Sequence, residues 1–288
     1  MEKFISRLIF IFFLFVQTVP IFGQSKKIKL SEISISYGIQ IDRHKELNYY
    51  DFKSMVPNSL IFSDEKSNFS YHNLSLGNST FNNSFASYLL TSTIGFSFEK
   101  FKNGLFRTGL IYGNTKNQFN TDAYHSEIIG HDTLYSSQGT PIYIDVSRTK
   151  ILHSNLSSKK VLLDISYIYK FPEEHKIVMY CGLGLLFGIG FNSNIVTNYY
   201  ESVGVAGSSI LPTTIANNHE DLKLKPYFLS SIYVPLGLNI RLGNKNNFLK
   251  NIHIFGEIRP IISFLKFPTT RTFILIGENT NFGIKVKL

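Results

Sequence analysis

Apolar and polar residues alternate with a period of two in one segment after another of this chain, the pattern of strands that carry one greasy and one polar face. The first segment sets Ile33, Ile35, Tyr37, Ile39 and Ile41 against Ser34, Ser36, Gly38 and Gln40. The second sets Tyr88, Leu90, Ile94, Phe96 and Phe98 against Ser87, Thr91, Thr93, Ser97 and Glu99. After Lys102-Asn103-Gly104 the pattern resumes with Phe106, Thr108, Leu110 and Tyr112. Asn-Gly in a short connection is a strong hairpin signal, so the second and third strands are expected to be antiparallel neighbours. A second hairpin is expected from the alternations at 161–171 and 177–191, joined by Pro172-Glu173-Glu174-His175. Three further strands follow: one from Phe228 to Leu242, one carrying Ile252, Ile254, Ile258 and Ile262, and one carrying Phe282, Ile284, Val286 and Leu288. Pro235 has no amide hydrogen to give, and is expected to mark a bulge or a break in the sixth strand.

The gaps between these segments are alternately short and long, with polar connections over about 43–84, 120–158, 193–226 and 265–272. Tight turns on one side and long loops on the other predict an all-β fold: a closed antiparallel up-and-down transmembrane β-barrel of eight strands. Closure is required because an open sheet edge in hydrocarbon leaves backbone groups without partners. Each strand exceeds the ~9–11 residues that cross a bilayer at a tilt. Ile142, Ile144 and Val146 alternate again inside the second long connection. They are read as strand projecting above the membrane, with a ten-stranded barrel as the alternative.

The amino end carries Lys3 and Arg7, the apolar run Leu8 to Val16, and then Gln17, Thr18, Pro20 and Gly23. This is the build of an export signal, expected to span residues 1–24 and to leave 25–288 as an outer-membrane barrel domain. The single cysteine, Cys181, excludes an intrachain disulfide and lies too far from the signal to carry a lipid anchor. Aromatic residues make up 15% of the chain and charged residues only 17%, which suits lipid-facing strands in the outer membrane of a Gram-negative bacterium. A net charge of +9 would ordinarily raise nucleic acid as a partner. Lys26, Lys27, Lys29, Lys102, Lys176, Lys245, Lys250, Lys285 and Lys287 instead gather near the expected periplasmic strand ends, where they can snorkel to headgroup phosphates. The expected partners are therefore outer-membrane lipids and lipopolysaccharide, with no nucleic acid.

An eight-stranded barrel is only wide enough to be filled by side chains. The inward polar set reads as Arg107, Asp164, Arg241, Glu257, Arg259 and Lys285, mixed in sign, a structural network that seals the lumen against general diffusion. A catalytic reading of the same cluster is weaker, because no nucleophile stands beside a base. His153-Ser154 is an adjacent pair, but neighbours in a strand point to opposite faces. His125, His131 and Asp132 are metal-ligand types at loose loop spacing and are read as solvated. Gly182, Gly184, Gly188 and Gly190 lack the strand-to-helix turn of a phosphate loop, and are expected to admit close lumenal neighbours. No catalytic residue, cofactor or metal is expected.

The stretch Ile232-Tyr233-Val234-Pro235-Leu236-Gly237-Leu238, the glycine-rich strand from Tyr180 to Gly190, Phe255-Gly256-Glu257-Ile258-Arg259-Pro260 and the alternating carboxyl end resemble the small outer-membrane β-barrel domain family. That family is related in architecture to the OmpA and OmpX barrels and includes PorT-like members. The resemblance covers the mature chain and implies no cofactor and no shared catalytic residues. The function expected is that of a non-enzymatic integral outer-membrane protein. Its surface loops would serve binding, adhesion or envelope integrity, or it would be an accessory of protein secretion acting through loops or periplasmic turns. The alternatives are an outer-membrane enzyme acting on lipid A or peptides, and a narrow channel.

Overall fold

The computed structural model describes residues 28–44, 49–63, 72–73, 84–101, 103–135, 137–171, 176–205, 213–243 and 247–288. The expected signal segment, Lys102 and the turn Pro172–His175 lie outside the described residues. The elements are β1 Ile28–His44, α1 Tyr49–Met55, α2 Leu60–Ser63, β2 His72–Asn73, β3 Ser84–Phe98, β4 Gly104–Tyr135, β5 Pro141–Lys170 and β6 Ile177–Val205. They continue with β7 Thr213–Lys223, β8 Tyr227–Tyr233, β9 Leu236–Arg241, α3 Asn247–Lys250, β10 Ile252–Lys266 and β11 Thr272–Lys287.

Each strand of the wall pairs antiparallel with the next, from β1 through β3, β4, β5 and β6 to β8 and β9, then β10 and β11. β11 pairs back onto β1 from Glu32↔Lys287 to His44↔Leu275, so the sheet meets itself and no wall edge is left open. Because β8 and β9 follow one another along a single track, the ring has eight staves. The segment containing Ile142 and Val146 is the start of β5, in one hairpin with β4, so the ten-stranded alternative is not taken.

Outside, the wall is apolar: Ile35, Tyr37, Leu183, Ile258, Ile262, Ile284 and Phe282 are all exposed, Phe282 at 68%. A soluble monomer exposes apolar patches of a few hundred Å² at most, whereas this band encircles the molecule. Lipid is the solvent that makes such a surface stable. The band is the transmembrane face.

Pro235 does break the sixth stave. β8 stops at Tyr233 and β9 begins at Leu236, yet Ile261↔Tyr233 and Ile258↔Leu236 keep one register against β10, so there is no bulge. The amide of Val234 donates to the carbonyl of Pro260 at 3.1 Å, which carries the ladder across the gap.

Two of the long connections turn out to be largely sheet. Beyond Thr115, where its register with β3 ends, β4 runs on to Tyr135 and returns as β5 through residues 137–140. β6 likewise continues to Val205 and pairs with β7. With the two-residue β2 paired to β4 at His72↔Tyr124 and Asn73↔Ala123, the result is a five-stranded antiparallel sheet, β2-β4-β5-β6-β7, standing on one side of the mouth. At ~3.3 Å per residue, the stretch from Lys116 to Tyr135 reaches roughly 60 Å.

The first long connection differs more from its expected place at the surface. Phe52, Met55 and Val56 of the α1 region and Ile61 and Phe62 of α2 are buried at 7% exposure or less. They pack in one cluster with the inward residues Phe85, Leu89, Ile111, Leu186, Leu229 and Leu265 of the wall. Their spacing is helical, and it hides in a stretch otherwise rich in Asn and Ser.

Candidate functional site

The lumen is built in two storeys by the inward half of each strand. Toward the short turns it is ionic. The Arg107 guanidinium donates to both oxygens of Glu257, at 2.8 and 3.1 Å, and its Nε donates to Ser166 at 3.1 Å. Arg259 donates from Nε to Oε1 of the same carboxylate, which Arg107 Nη2 also reaches, and from Nη1 to Asp164 at 3.2 Å. Tyr180 donates its hydroxyl to Glu257 at 2.8 Å, Tyr233 donates to Asp164, and Arg259 lies 4.8 Å over the Tyr233 ring. All seven side chains are almost wholly buried.

Of the expected lumenal residues, Arg107, Asp164, Glu257 and Arg259 are thus brought into one cluster in which two guanidinium charges meet two carboxylate charges. Lys285 sits in a second group: it bridges to Glu32 at 3.1 Å and donates to Asn239 at 3.1 Å, while Lys170 reaches the same Glu32 at 2.6 Å. Lys285 therefore points into the barrel at 2% exposure, and is not among the lysines available to snorkel. The reason is parity, since it shares the inward face of β11 with Asn281 and Asn279. Arg241 lies on the inward side of β9 near its end, half-buried, outside both clusters.

The pairs are cross-braces. β4 and β10 stand opposite each other in the ring, so the bidentate Arg107–Glu257 contact spans the lumen diameter. Lys160 of β5 makes a second span nearer the mouth, donating to Gln40 of β1 at 3.1 Å and to Ser87 of β3 at 3.3 Å. Chemically the arrangement holds the wall together and fills it. Each carboxylate at the centre is already engaged by an arginine and a tyrosine.

Three cross-strand pairs make room for this packing. The rings of Tyr233, Tyr227 and Tyr180 lie directly over Gly184, Gly190 and Gly237, their registered partners. A Cβ on Gly190 would come within 2.0 Å of the Tyr227 ring, and one on Gly184 within 2.2 Å of the Tyr233 ring. Gly184, Gly190 and Gly237 are therefore seats for aromatic side chains, whereas Gly182 and Gly188 lie against the backbone of β5, where a Cβ would come within 2.1 and 2.0 Å of the Tyr167 and Val161 carbonyl oxygens.

The upper storey is apolar and plugged. Ser59 caps α2, accepting from the Phe62 amide at 3.1 Å, and its hydroxyl donates to Glu220 of β7. The other Glu220 oxygen accepts from the amides of Leu60 and Ile61 at 2.8 and 3.1 Å. Arg271, between β10 and β11, bridges to Asp51 of α1 at 3.0 Å. A carboxylate of the raised sheet at a helix start and a guanidinium at the β10–β11 turn thus tie the plug in place.

The upper storey and its plug were not foreseen in the sequence, although a signal was there. Where the upper storey lies, alternation lapses into adjacent apolar pairs, as at Leu89-Leu90, Leu162-Leu163, Leu185-Leu186 and Phe228-Leu229. One member of each faces lipid and the other faces the plug.

Above the mouth, the raised sheet carries exposed apolar residues at its tip: Ile128, Tyr135, Ile142 and Tyr143, the two tyrosines at 73% and 75%. Lower on the sheet Arg148 bridges Glu127 at 3.6 Å and Glu201 at 3.3 Å. His131 pairs with Asp145 at 2.6 Å, at an exposed position, and His125 lies 3.9 Å from Glu127. Among the described residues no group of three or more His, Cys, Asp or Glu is placed to hold a metal ion. His153 bonds to Asn155 and Ser154 to Thr197, on opposite faces of β5.

No family model matches the chain, and no curated protein matches it. Among solved structures it is similar to Neisserial surface protein A, at 11% identity with a TM-score of 0.36, over 91% of this chain and 100% of that one. It is also similar to Ail, the attachment invasion locus protein of Yersinia pestis, at 10% identity with a TM-score of 0.29, over 90% and 99% of the two chains. The translocator domain of the autotransporter NalP from Neisseria meningitidis aligns at 10% identity with a TM-score of 0.23, over 90% of this chain and 89% of that one. The fold assignment rests on the closed strand pairing described above.

Proposed function

We propose that the protein is a non-conducting integral barrel of a bacterial outer membrane that anchors a raised binding surface for a partner outside the cell, in adhesion or envelope integrity. The observation that carries this reading is the division of the molecule into a filled lumen and an elevated sheet built on β4, β5, β6 and β7 with the short β2 at its edge. A lumen closed by cross-braces below and an apolar plug above offers no path for solute. The sheet, by contrast, exposes aromatic and aliphatic side chains at its tip, well clear of the wall. Exposed Tyr and Ile on a rigid ribbon are the residue types that make contact area at low entropic cost. A soluble domain has no use for an apolar girdle, and an anchor without a partner has no use for a ribbon of roughly 60 Å.

The lipid contacts proposed for the girdle are with outer-membrane lipids and lipopolysaccharide. An accessory role in protein secretion, suggested by the likeness to PorT-like members, is the nearest variant, and would use the same raised sheet on a protein partner.

The test is a shortened protein in which residues 120–155 are replaced by an Asn-Gly turn, expressed in cells beside the intact protein. The barrel is expected to stay heat-modifiable on gels, while adherence of the cells to surfaces or to one another falls to the background of cells lacking the protein. Unchanged adherence with a folded barrel would refute the reading. Current steps from the intact protein in a planar bilayer would remove the non-conducting half of it.

A further inference from the structure

A cleft of about 230 Å³ opens at the rim between the plug and the wall, lined by Met55 and Val56 of the plug, Leu222 and Leu224 at the base of β7, and Phe267 and Pro268 beyond β10. It lies at the height where the closed wall ends on this side. β10 turns back at Lys266↔Thr272, whereas β7 climbs on, and among the described residues β7 pairs with β6 alone. The outward neighbours at this height, Phe228 and Ile274, belong to the lipid-facing band, so the lower lip of the cleft adjoins lipid. The charged residues lining it are Lys223 and Lys225, both exposed, and no carboxylate lines it.

We propose that this cleft is a lateral binding site for a single-chain anionic amphiphile of the fatty-acid type, which slides in from the lipid face. The chain lies against Met55, Val56, Leu222, Leu224 and Phe267, and the carboxylate meets Lys223 and Lys225 at the outer lip. Size favours one chain: an apolar cavity of ~150 Å³ accepts benzene, and the same scaling gives this cleft roughly nine carbons. Charge favours a carboxylate, since Lys223 and Lys225 are the charged residues of the lining, while Asp221, on the same face of β7 as Lys223, lies outside it and accepts from Asn194. The site is independent of whatever the raised sheet binds.

The experiment uses the full-length protein in phosphatidylcholine nanodiscs and a twelve-carbon fatty acid bearing a photoreactive diazirine, with adducts mapped by peptide mass spectrometry. Adducts are expected within 55–58, 222–225 and 267–269, competed by unlabelled dodecanoate and at least tenfold less well by dodecyl maltoside. The double variant K223E/K225E, which alters only exposed side chains and keeps its heat-modifiable mobility, is expected to cut this labelling about tenfold. Three results would overturn the proposal: adducts scattered along the lipid face at residues such as Ile258 and Ile284, equal competition by the neutral detergent or by phosphatidylglycerol in the disc, or labelling indifferent to the charge reversal.

Discussion

Glu257 is the residue on which the lower storey turns. It accepts hydrogen bonds from Arg107, Arg259 and Tyr180, at a position 1% exposed. Replacing it with alanine leaves the Arg107 guanidinium buried with only Ser166 as a neutral partner, while Arg259 retains Asp164. Removing one member of a buried ion pair costs about 3–5 kcal/mol, because the survivor is an uncompensated charge away from water. Glu257→Gln keeps the shape and an acceptor oxygen and loses only the charge, so it is expected to cost about 2 kcal/mol. The measurement is a urea titration of the barrel in lipid vesicles, with the folded fraction read from heat-modifiable gel mobility. The Arg107→Ala and Glu257→Ala variants, singly and together, should give a coupling of at least ~1.5 kcal/mol. A Glu257→Ala barrel within ~1 kcal/mol of the parent would show that the cross-braces add nothing. In planar bilayers the same variant should remain silent, because the apolar plug still closes the mouth.

The remaining expectations follow from the other storeys. Glu220→Ala removes three hydrogen bonds from the start of α2, and should raise amide exchange over 59–62 by tenfold or more, about 1.4 kcal/mol of local opening, with no change in barrel melting. Gly190→Ala drives a Cβ into the Tyr227 ring and should cost about 1–3 kcal/mol in the urea titration, a loss largely recovered in Gly190→Ala/Tyr227→Leu. Equal stability of the single and double variants would contradict the seat-and-ring account. On the outer face, Ile284→Arg should cost about 2–4 kcal/mol in vesicles if that position lies near the bilayer midplane, and no cost would place lipid elsewhere. Deleting 49–63 should leave the barrel non-conducting, whereas adding Glu257→Ala to that deletion should let small ions through; current from the plug deletion alone would mean the lower storey does not seal.

Strand number, direction and outward face are legible in the sequence because lipid imposes a strict rule. Every second residue of a crossing strand must be apolar, as Ile33 to Ile41 and Ile177 to Phe191 are, and a period of two is visible in one dimension. The same rule names the inward residues by elimination, which is how Arg107, Asp164, Glu257, Arg259 and Lys285 could be placed in the lumen. Their partners could not. Arg107 meets Glu257 across 150 positions of sequence, because ring closure sets β4 opposite β10, and Glu32, Tyr180 and Tyr233 join the braces only through the stagger of the strands.

What the sequence by itself determined was the ribbon: which segments are strands, which side each shows to lipid, and that Pro235 interrupts one of them. What only the tertiary structure decided was the contents of the ring. The plug from α1 and α2, the Glu220 cap, the tyrosines seated on glycines and the cleft beside β7 all depend on distances between strands far apart in the chain. The physical reason is the difference between the two solvents of this barrel. Lipid is uniform and constrains every outward residue alike, whereas the lumen is made of other side chains, and each inward residue answers only to the neighbours that closure happens to bring to it.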